Sequence, residues 1–404
     1  MPQKLQIDKW LFSATVGLAL FGVVMVYSAS AVIAQQENHS QFHYVAKQTL
    51  WTSIGFAVMF VAMRFDYQLL NRRWIIYGLL LVTVLLLAAV FGFSPTNGAR
   101  RWIKLKGFSI QPSEIAKLSL ALFLARFLER RAGDEASFWR TFLPCFLVLA
   151  VVAGLVAKEP DLGTALMLAI ICFTICFAAG MRPRHLVYAV VPALLYVGKM
   201  LIFTPFRMKR LSAFIDPWAD AQGTGYQVVQ SLIAVGSGGT HGLGFAQGRQ
   251  KLLFLPFAHS DFIFAVVGEE LGLVGALIIV AVFAVFLWRG MRAALRAPDT
   301  FGMLLGIGIV VGIVAQALLN ISVVLALVPT KGIPLPFISY GGSSLVPTLA
   351  GVGILLNISQ YAALGKREDY DDGDHEDEWQ EAPRARKKRQ PRQRASALAR
   401  ARYG

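Results

Sequence analysis

The stretch FLPFAHSDFIFAVVGEELGLVGALIIVAVFAVF places three carboxylates in or beside a long apolar run. Asp261 opens the run, and Glu269 and Glu270 follow about two helical turns further in. A charged side chain inside a bilayer costs about 2.5–3.5 kcal/mol on insertion scales, so each carboxylate needs a reason to be there. For Asp261 two interpretations stay open: a cap for the following helix, or a general base whose pKa is tuned by burial and nearby cations. We interpret Glu269 and Glu270 as structural carboxylates that hold helices together.

A pair of opposite charges lies in IQPSEIAKLSLALFLARF, where Pro112 suits the first turn of a helix. Glu114 and Lys117 are then i, i+3 neighbours on one face of that helix. Either they neutralise each other and lower the cost of insertion, or they form a polar wall that faces Asp261 across a cavity.

Two turns, one rich in charged residues and one rich in glycine, give weaker evidence for a functional site. KEPDLGTAL gathers Lys158, Glu159 and Asp161 around Pro160, and a turn with a capping Asp161 explains much of it. GSGGTHGLGFAQG has backbone N–H groups that could bind phosphate. It lacks the lysine and hydroxyl pattern of a P-loop, so alone it is weak evidence for a nucleotide.

The segment VPTKGIPLPFISYGGSSL is rich in proline and glycine and is predicted to fold over or re-enter the outer mouth of the bundle. It carries a cation, Lys331, and hydroxyls on Tyr340, Ser343 and Ser344. Irregular backbone at that depth is tolerated only where protein or water covers it. Together these segments predict an outward-facing polar cavity with one prominent carboxylate and several cations and hydroxyls, and with no motif for a bound cofactor or a nucleotide.

The elements that must position these residues are membrane helices, because 56% of the 404 residues are hydrophobic and only 16% are charged. Apolar runs near the length needed to cross a bilayer predict an all-α polytopic membrane protein. We expect about ten transmembrane helices, with a long outer loop at 204–260 between the seventh and the eighth; the predicted spans are 10–33, 46–63, 73–93, 112–128, 140–157, 162–180, 185–203, 262–288, 301–328 and 343–363.

The distribution of basic residues sets the orientation. Arginines in alternate loops, together with Lys4 and Lys9, place the N-terminal segment 1–9 and the C-terminus in the cytoplasm. The net charge of +15 does not indicate nucleic-acid binding, because much of the excess lies in these loops and in the tail. Residues 364–404 combine low hydrophobicity with blocks of like charge, which predicts a disordered cytoplasmic tail after the membrane domain at 10–363.

Basic residues on the predicted outer face break this pattern. Topology rules disfavour short outer loops this basic, so these residues indicate an anionic ligand, with contact to lipid headgroups as the open alternative. The cations concerned are Arg100, Arg101, Lys104 and Lys106 in one loop, Arg207, Lys209, Arg210, Arg249 and Lys251 in the long loop, and Lys331 in a third.

Three stretches resemble the signatures of a known family: RLSAFIDPWADAQGTGYQVVQSLIAVGSGG, PFAHSDFIFAVVGEELGLVG and PTKGIPLPFISYGGSSL. They are similar to the SEDS family, the shape, elongation, division and sporulation proteins, over about residues 10–361. KEPDLGTA and LVPTKGIPLPFISYGG resemble the division member more than the elongation member. Phe257 departs from the pattern, because relatives often carry an acidic residue there, and a role for that carboxylate is not carried over to this chain.

The resemblance implies a peptidoglycan glycosyltransferase that polymerises lipid II at the outer face of the bacterial cytoplasmic membrane, at the division septum. It implies that Asp261 is the catalytic base and that Glu114 and Lys117 are the family's ion pair. Expected substrate ligands are Arg101, Lys117, Arg207, Arg210 and Lys331 on the pyrophosphate, with Ser343 and Ser344 in the cavity. No cofactor is expected to be bound, although Mg²⁺ or Mn²⁺ could accompany the pyrophosphate. The expected partner is a class B penicillin-binding protein.

Three other functions stay open. A lipid II flippase also needs a polar cavity with ionisable groups inside a helical bundle, but it needs access from both faces. An elongation-type polymerase would use the same site. A scaffold that recruits an enzyme through its charged tail would not need polar residues at the outer mouth.

Overall fold

The structure is a computed structural model, and it describes residues 7–380 except 96–98, 106–107, 135–136, 203–204 and 253. The chain divides after Ala363 into a helical membrane unit and a second unit that begins at Leu364. In the second unit the described backbone is helical as far as Gln380, and the disordered cytoplasmic tail expected at 364–404 stays a prediction. The rest of the predicted tail, 381–404, lies outside the described residues.

Each of the ten predicted spans corresponds to a helix, and two further helices lie in the predicted outer loop. In chain order the described helices are α1 Lys9–Gln36, α2 His43–Arg64, α3 Arg73–Ala89, α4 Pro112–Glu129, α5 Leu143–Lys158, α6 Leu162–Ala178, α7 Pro183–Ile202, α8 Pro205–Ile215, α9 Tyr226–Ser237, α10 Ile263–Leu295, α11 Thr300–Val324 and α12 Gly342–Gln380.

Seven helical segments in the described part of the chain are long and apolar enough to cross a membrane. They correspond to α1, α2, α3, α5, α10, α11 and the first half of α12. The remaining predicted spans are α4, α6 and α7. Helix α6 is apolar but has only 17 residues, and α4 includes Glu114, Lys117, Arg126 and Glu129. The chain is therefore a polytopic helical membrane protein in which α6 is short and α4 carries charged side chains.

A small hairpin departs from the all-α prediction. Strands β1 Ile103–Leu105 and β2 Phe108–Ile110 pair antiparallel, with Ile103 opposite Ile110. The hairpin lies in the outer loop between α3 and α4. Ser343, at the start of α12, donates a hydrogen bond to Ser109 O at 2.5 Å and accepts one from Gln111 N at 3.1 Å. These bonds fix the hairpin and the start of α4 against α12.

Helix α11 is the packing centre of the bundle and contacts α10, α6 and α4. Its glycines allow the neighbouring helices to approach closely. A Cβ added at Gly306 would lie 2.7 Å from Ala294 Cβ, and one at Gly308 would lie 2.6 Å from Ile175 Cδ1. Lipid tails are as apolar as the helix surfaces, so the hydrophobic effect does not drive membrane helices together. Close packing at small residues contributes to their association instead.

Helix α10 is broken at Gly272, whose φ of 66° and ψ of −165° are not helical. The glycine-rich loop lies against this break. Leu273 N donates to Gly239 O at 2.9 Å, and Leu243 N and Gly244 N donate to Glu269 O and Glu270 O at 3.0 Å. The N–H groups of Leu243 and Gly244 are thus occupied by the helix, and the loop serves to close the break rather than to bind phosphate.

Glu269 and Glu270 hold the same loop through their side chains, which confirms their structural interpretation. Glu269 accepts from Arg249 N at 2.6 Å. Glu270 accepts from Lys251 Nζ at 2.6 Å and from Ser28 Oγ on α1 at 2.7 Å. Lys251 is itself buried, so it belongs to this internal ion pair and not to the cations predicted to meet an outer anionic ligand.

We expect Gly272→Ala to lower the thermal unfolding midpoint of the purified protein in detergent. A φ of 66° with a ψ of −165° lies in a region essentially restricted to glycine and costs another residue about 1–3 kcal/mol. The new Cβ would also lie 2.3 Å from Gly242 N, which adds a steric penalty. The matched control is Gly78→Ala in α3, where a Cβ meets nothing within 4 Å and alanine is the better helix former. Equal midpoints for Gly272→Ala and the native protein would contradict this account.

Candidate active site

A cavity of about 1740 Å³ opens at the end of the bundle that the charge pattern assigns to the outside. Its wall combines the β1–β2 region, the turn between α5 and α6, part of α8, and the loops before α10 and α12. Most of the residues predicted for the site meet in this wall: Asp261, Arg101, Arg210, Lys331, Ser343 and Ser344.

The loop that carries Asp261 is joined to the loop before α12 by hydrogen bonds. Ser339 Oγ donates to Ser260 O at 2.6 Å, and Tyr340 N donates to His259 O at 3.0 Å. Asn320, on α11, donates through Nδ2 both to Asp261 O and to Ile333 O, each at 2.7 Å. One buried amide therefore holds both loops at a fixed position relative to the central helix.

Asp261 precedes α10 and does not act as its cap, because Phe262 occupies the cap position and no side chain bonds the free N–H groups there. Burial raises the pKa of Asp261, Arg101 and Arg210 oppose the rise, Asp161 adds to it, and the net value is about 6. The carboxyl group is then mostly ionised at pH 7, yet basic enough to accept a proton. The structure therefore excludes the first of the two interpretations of Asp261, that it caps the following helix.

The two arginines that act on Asp261 are held by backbone carbonyls. Arg101 donates to Glu159 O at 3.2 Å and to Pro160 O at 2.6 Å. Arg210 Nη1 donates to Thr330 O at 3.2 Å. Burial lowers the pKa of Lys331, and Asp161 opposes that shift. Guanidinium groups keep their charge even when buried, so this part of the wall is positive and suits an anionic group.

The turn between α5 and α6 contributes more than the sequence indicated. Asp161 caps α6 as predicted, accepting from Thr164 N at 3.0 Å, and it also lies in the cavity wall. Glu159 is fully buried. Burial raises the pKa of Glu159, Asp161 adds to the rise, Arg101 opposes it, and the net value is about 8. Glu159 is thus mostly protonated at pH 7, and the negative charge on this side of the cavity comes from Asp161 and Asp261.

Glu114 and Lys117 form an ion pair of 2.8 Å, but they are not in the wall of the main cavity. They line a separate space of about 50 Å³ between α4 and α11. Lys117 Nζ donates to Gln316 Oε1 at 2.5 Å, and Gln316 donates to Pro334 O at 2.9 Å. Gln316 on α11 thus links Lys117 to the loop before α12, and a role of the pair as a polar wall facing Asp261 stays a prediction.

For two other predicted substrate ligands, Arg207 and Ser343, the structure gives less support. The backbone of Arg207 is in α8, but its side chain lies outside the described part of the chain. Ser343 lines the cavity, and its hydroxyl is already used to bind the β2 region to α12. Within the described residues no group of three His, Cys, Asp or Glu side chains is arranged to hold a metal ion, and a divalent ion on the pyrophosphate stays a prediction.

The FtsW/RodA/SpoVE family, described as cell cycle proteins, matches residues 9–364 of this chain. The chain belongs to this family. It is 44% identical to the probable peptidoglycan glycosyltransferase FtsW of Geobacter metallireducens over 357 residues, which cover 87% of this chain and 94% of the relative. It is 41% identical to the stage V sporulation protein E of Bacillus subtilis, over 88% of this chain and 97% of the relative.

Solved structures agree with this membership in the SEDS family. A chain of a peptidoglycan synthase complex, studied for the structural coordination of polymerization and crosslinking, is 31% identical, with a TM-score of 0.73 over 89% of this chain and 99% of that chain. The rod shape determining protein RodA of Thermus thermophilus is 29% identical, with a TM-score of 0.66 over 89% of this chain and 98% of its own.

The departure of this SEDS protein from the family pattern is visible in the cavity. Phe257 lines the wall, is 46% exposed and has a φ of 58°, a left-handed conformation that is uncommon for a bulky residue. An apolar ring therefore faces the cavity at the position where the family resemblance led us to expect a carboxylate. Among the described acidic residues in the wall, Asp261 and Asp161 remain as the anionic groups.

Sequence reasoning missed the amides that position the site. Gln316 and Asn320 are i, i+4 neighbours in the apolar run of α11, so both point to one side of the helix. An uncharged polar side chain at such a position must find partners inside the bundle, because lipid offers none. That signal was present in AQALLNIS, and it would have indicated contact with an irregular loop.

We expect Asn320→Leu to loosen the Asp261 loop without unfolding the bundle. Both carbonyls that Asn320 binds would lose a buried donor, at about 1–3 kcal/mol for each unsatisfied group. Hydrogen exchange should then become about tenfold faster or more in the loops 257–261 and 333–339.

The matched control for this experiment is Asn357→Leu. Asn357 accepts from Tyr67 N at 2.9 Å and donates to Met63 O at 2.8 Å near the opposite end of the bundle. The control should leave exchange in the two outer loops at the native rate. Native protection of these loops in Asn320→Leu would show that Asn320 does not position Asp261.

Proposed function

We propose that this protein is a peptidoglycan glycosyltransferase that polymerises lipid II during cell division, at the outer face of the bacterial cytoplasmic membrane. Its membership in the FtsW/RodA/SpoVE family and its similarity to relatives described as peptidoglycan glycosyltransferases support the reaction class. The observation that carries the mechanism is the meeting of Asp261 with Arg101, Arg210 and Lys331 in one large outer cavity.

In the proposed reaction, Asp261 accepts the proton of the 4-hydroxyl of the acceptor sugar. That oxygen attacks the anomeric carbon of the growing chain with inversion, the C–O bond to the lipid carrier breaks, and undecaprenyl pyrophosphate leaves with the bonding electrons. A pKa of about 6 leaves Asp261 ready to accept the proton at neutral pH. Arg101, Arg210 and Lys331 would stabilise the charge that develops on the pyrophosphate, because prearranged cations do this better than reorganising water.

The membrane supplies part of the catalytic advantage. Both substrates carry lipid anchors, so their diffusion is confined to a plane and their reacting sugars reach the cavity at similar depth. We further propose a class B penicillin-binding protein as the partner, since the similar chain in the peptidoglycan synthase complex belongs to an assembly that couples polymerization to crosslinking. Relatives named FtsW favour the division role over the elongation role.

We expect Asp261→Asn to abolish polymerisation of purified lipid II by the protein reconstituted with its cognate penicillin-binding protein. Loss of a general base costs about 10²–10⁴-fold in rate, and the amide keeps the size of the side chain. Asp216→Asn is the matched control, because Asp216 is exposed in the outer loop and caps a turn that asparagine also caps.

Two results would contradict the proposal. Equal polymerisation by Asp261→Asn and the native protein would remove Asp261 from the mechanism. Absence of polymer from the native complex, together with movement of lipid II across liposome membranes, would favour the flippase. Gel filtration of both variants with the partner checks that they fold and assemble.

The polymerisation rate of the native complex should fall as the pH is lowered through about 6. The folded-state pKa of Asp261 is raised above its usual value, so the ionised base is depleted at a pH where an ordinary aspartate would still be charged. A pH profile of the single-turnover rate tests this, with thermal unfolding recorded at each pH as the control for stability. A rate that stays constant down to pH 4.5 would contradict a base with this pKa.

A further inference from the structure

The main cavity has a second surface that differs from the cationic one. Trp51, His259 and Tyr340 line it, and each of them is partly exposed. Neither the pyrophosphate nor the base accounts for three aromatic rings in this wall. Aromatic residues that served only to pack the bundle would be closed off from the cavity, as the buried Tyr67 is near the opposite end.

Two of these rings, His259 and Tyr340, are held in a defined arrangement with a further ring, Tyr44. The ring centroids are 5.0 Å apart for Tyr44 and His259, 5.2 Å for Tyr44 and Tyr340, and 5.6 Å for His259 and Tyr340. The Tyr44–Tyr340 planes are nearly perpendicular, at 85°. Centroid distances of this size are those of favourable edge-to-face pairs, so the cluster is rigid before any ligand enters.

Helix α2 brings its part of the cluster to the cavity through the spacing of Tyr44, Gln48 and Trp51, which share one face at i, i+4 and i+7. Gln48 donates to Ser339 O and accepts from Gly341 N, each at 3.3 Å. Gly342 lies directly on the indole of Trp51, since a Cβ there would be 2.1 Å from the ring. The aromatic surface is thus fixed to the same loop that is joined to the Asp261 segment.

His259 adds a polar atom to this surface. Its Nδ1 is buried and has no hydrogen-bond partner within the described residues. Burial lowers the pKa of His259, with Glu37 opposing the shift, so the ring is neutral at pH 7 and can either donate or accept. A ligand for this surface should therefore offer flat apolar faces together with hydroxyl or amide groups, as a pyranose with an N-acetyl group does.

We propose that Trp51, His259 and Tyr340 form a saccharide subsite that binds the hexosamine rings of the substrate, opposite in chemistry to the cations that bind its pyrophosphate. This inference rests on the proposed function and specifies how the substrate is oriented, with its sugars on the aromatic surface and its pyrophosphate at the cations. The polarised C–H bonds on the face of a sugar ring are attracted to the negative face of an aromatic ring. Asp261 follows His259 by two residues, so a sugar on this surface lies beside the base.

The test measures binding rather than activity, with the full-length protein in lipid nanodiscs. One probe is a soluble tetrasaccharide of alternating N-acetylglucosamine and N-acetylmuramic acid, and the other is farnesyl pyrophosphate. Tyr340→Leu should weaken tetrasaccharide binding about tenfold, the upper range for loss of an aromatic contact, and leave farnesyl pyrophosphate binding unchanged. Arg210→Gln should show the reverse pattern.

Controls separate the ring from other effects. Tyr340→Phe keeps the ring and should bind the tetrasaccharide as the native protein does. Phe254→Leu removes an exposed aromatic residue of the outer loop that is not in the cavity wall, and it should change neither affinity. Should Tyr340→Leu fail to fold, His259→Leu provides the second variant, because the His259 backbone carbonyl that binds Tyr340 N is retained.

Unchanged tetrasaccharide affinity in Tyr340→Leu and His259→Leu would overturn the subsite, and so would equal loss of both probes in a folded variant. In the polymerisation assay, shorter glycan products would assign the subsite to the growing chain, and a raised KM for lipid II would assign it to the acceptor; either result supports it. Tetrasaccharide binding that depends on Tyr340 in a protein that makes no polymer would support the subsite while the proposed reaction fails.

Discussion

The site depends on hydrogen bonds that satisfy irregular backbone inside a helical membrane protein. The loops at 257–261 and 332–341 are not helical, and lipid offers no partners for their carbonyl and N–H groups. Amides on regular helices supply those partners: Asn320 and Gln316 from α11, and Gln48 from α2. The position of the base, the cations and the aromatic rings follows from these few contacts, since all of them lie on the loops so held or on elements packed against them.

The charge state of Asp261 results from a balance between two opposing effects. Burial alone would favour the neutral acid, and Asp161 adds to that preference, whereas Arg101 and Arg210 favour the carboxylate. A pKa of about 6 keeps the carboxyl group of Asp261 mostly ionised at neutral pH, and the carboxylate is still basic enough to accept a proton. For Glu159 the same effects give a different balance: burial and then Asp161 raise the pKa, Arg101 opposes them, and the net value is about 8.

The sequence predicted the helices well because membrane spans are long and their composition is extreme. Asp261, Arg101, Arg210 and Lys331 could be assigned to one cavity, since polar residues at apolar boundaries on one side of a membrane must share whatever water-filled space exists there. The relation of Glu114 and Lys117 to that cavity could not be predicted, because it depends on which face of α4 meets α11. The break at Gly272 was also hidden, since its hydrogen bonds come from a loop about thirty residues earlier in the chain.

The distribution of polar contacts along the bundle argues for a catalyst rather than a carrier. Near the end of the bundle that the charge pattern assigns to the cytoplasm, Asp8 and Arg289 form an ion pair of 2.6 Å, and Asn357 binds the backbone of Tyr67 and Met63. These contacts tie the inner ends of α1, α10 and α12 to their neighbours. A carrier must open a path to each face in turn, and its binding site lies near the midplane between two mobile halves. Here the cavity lies at the outer end, and the buried ion pair of Lys251 with Glu270 fixes the outer loop to α10 and α1. A substrate that reacts while anchored in the outer leaflet needs access from that face alone.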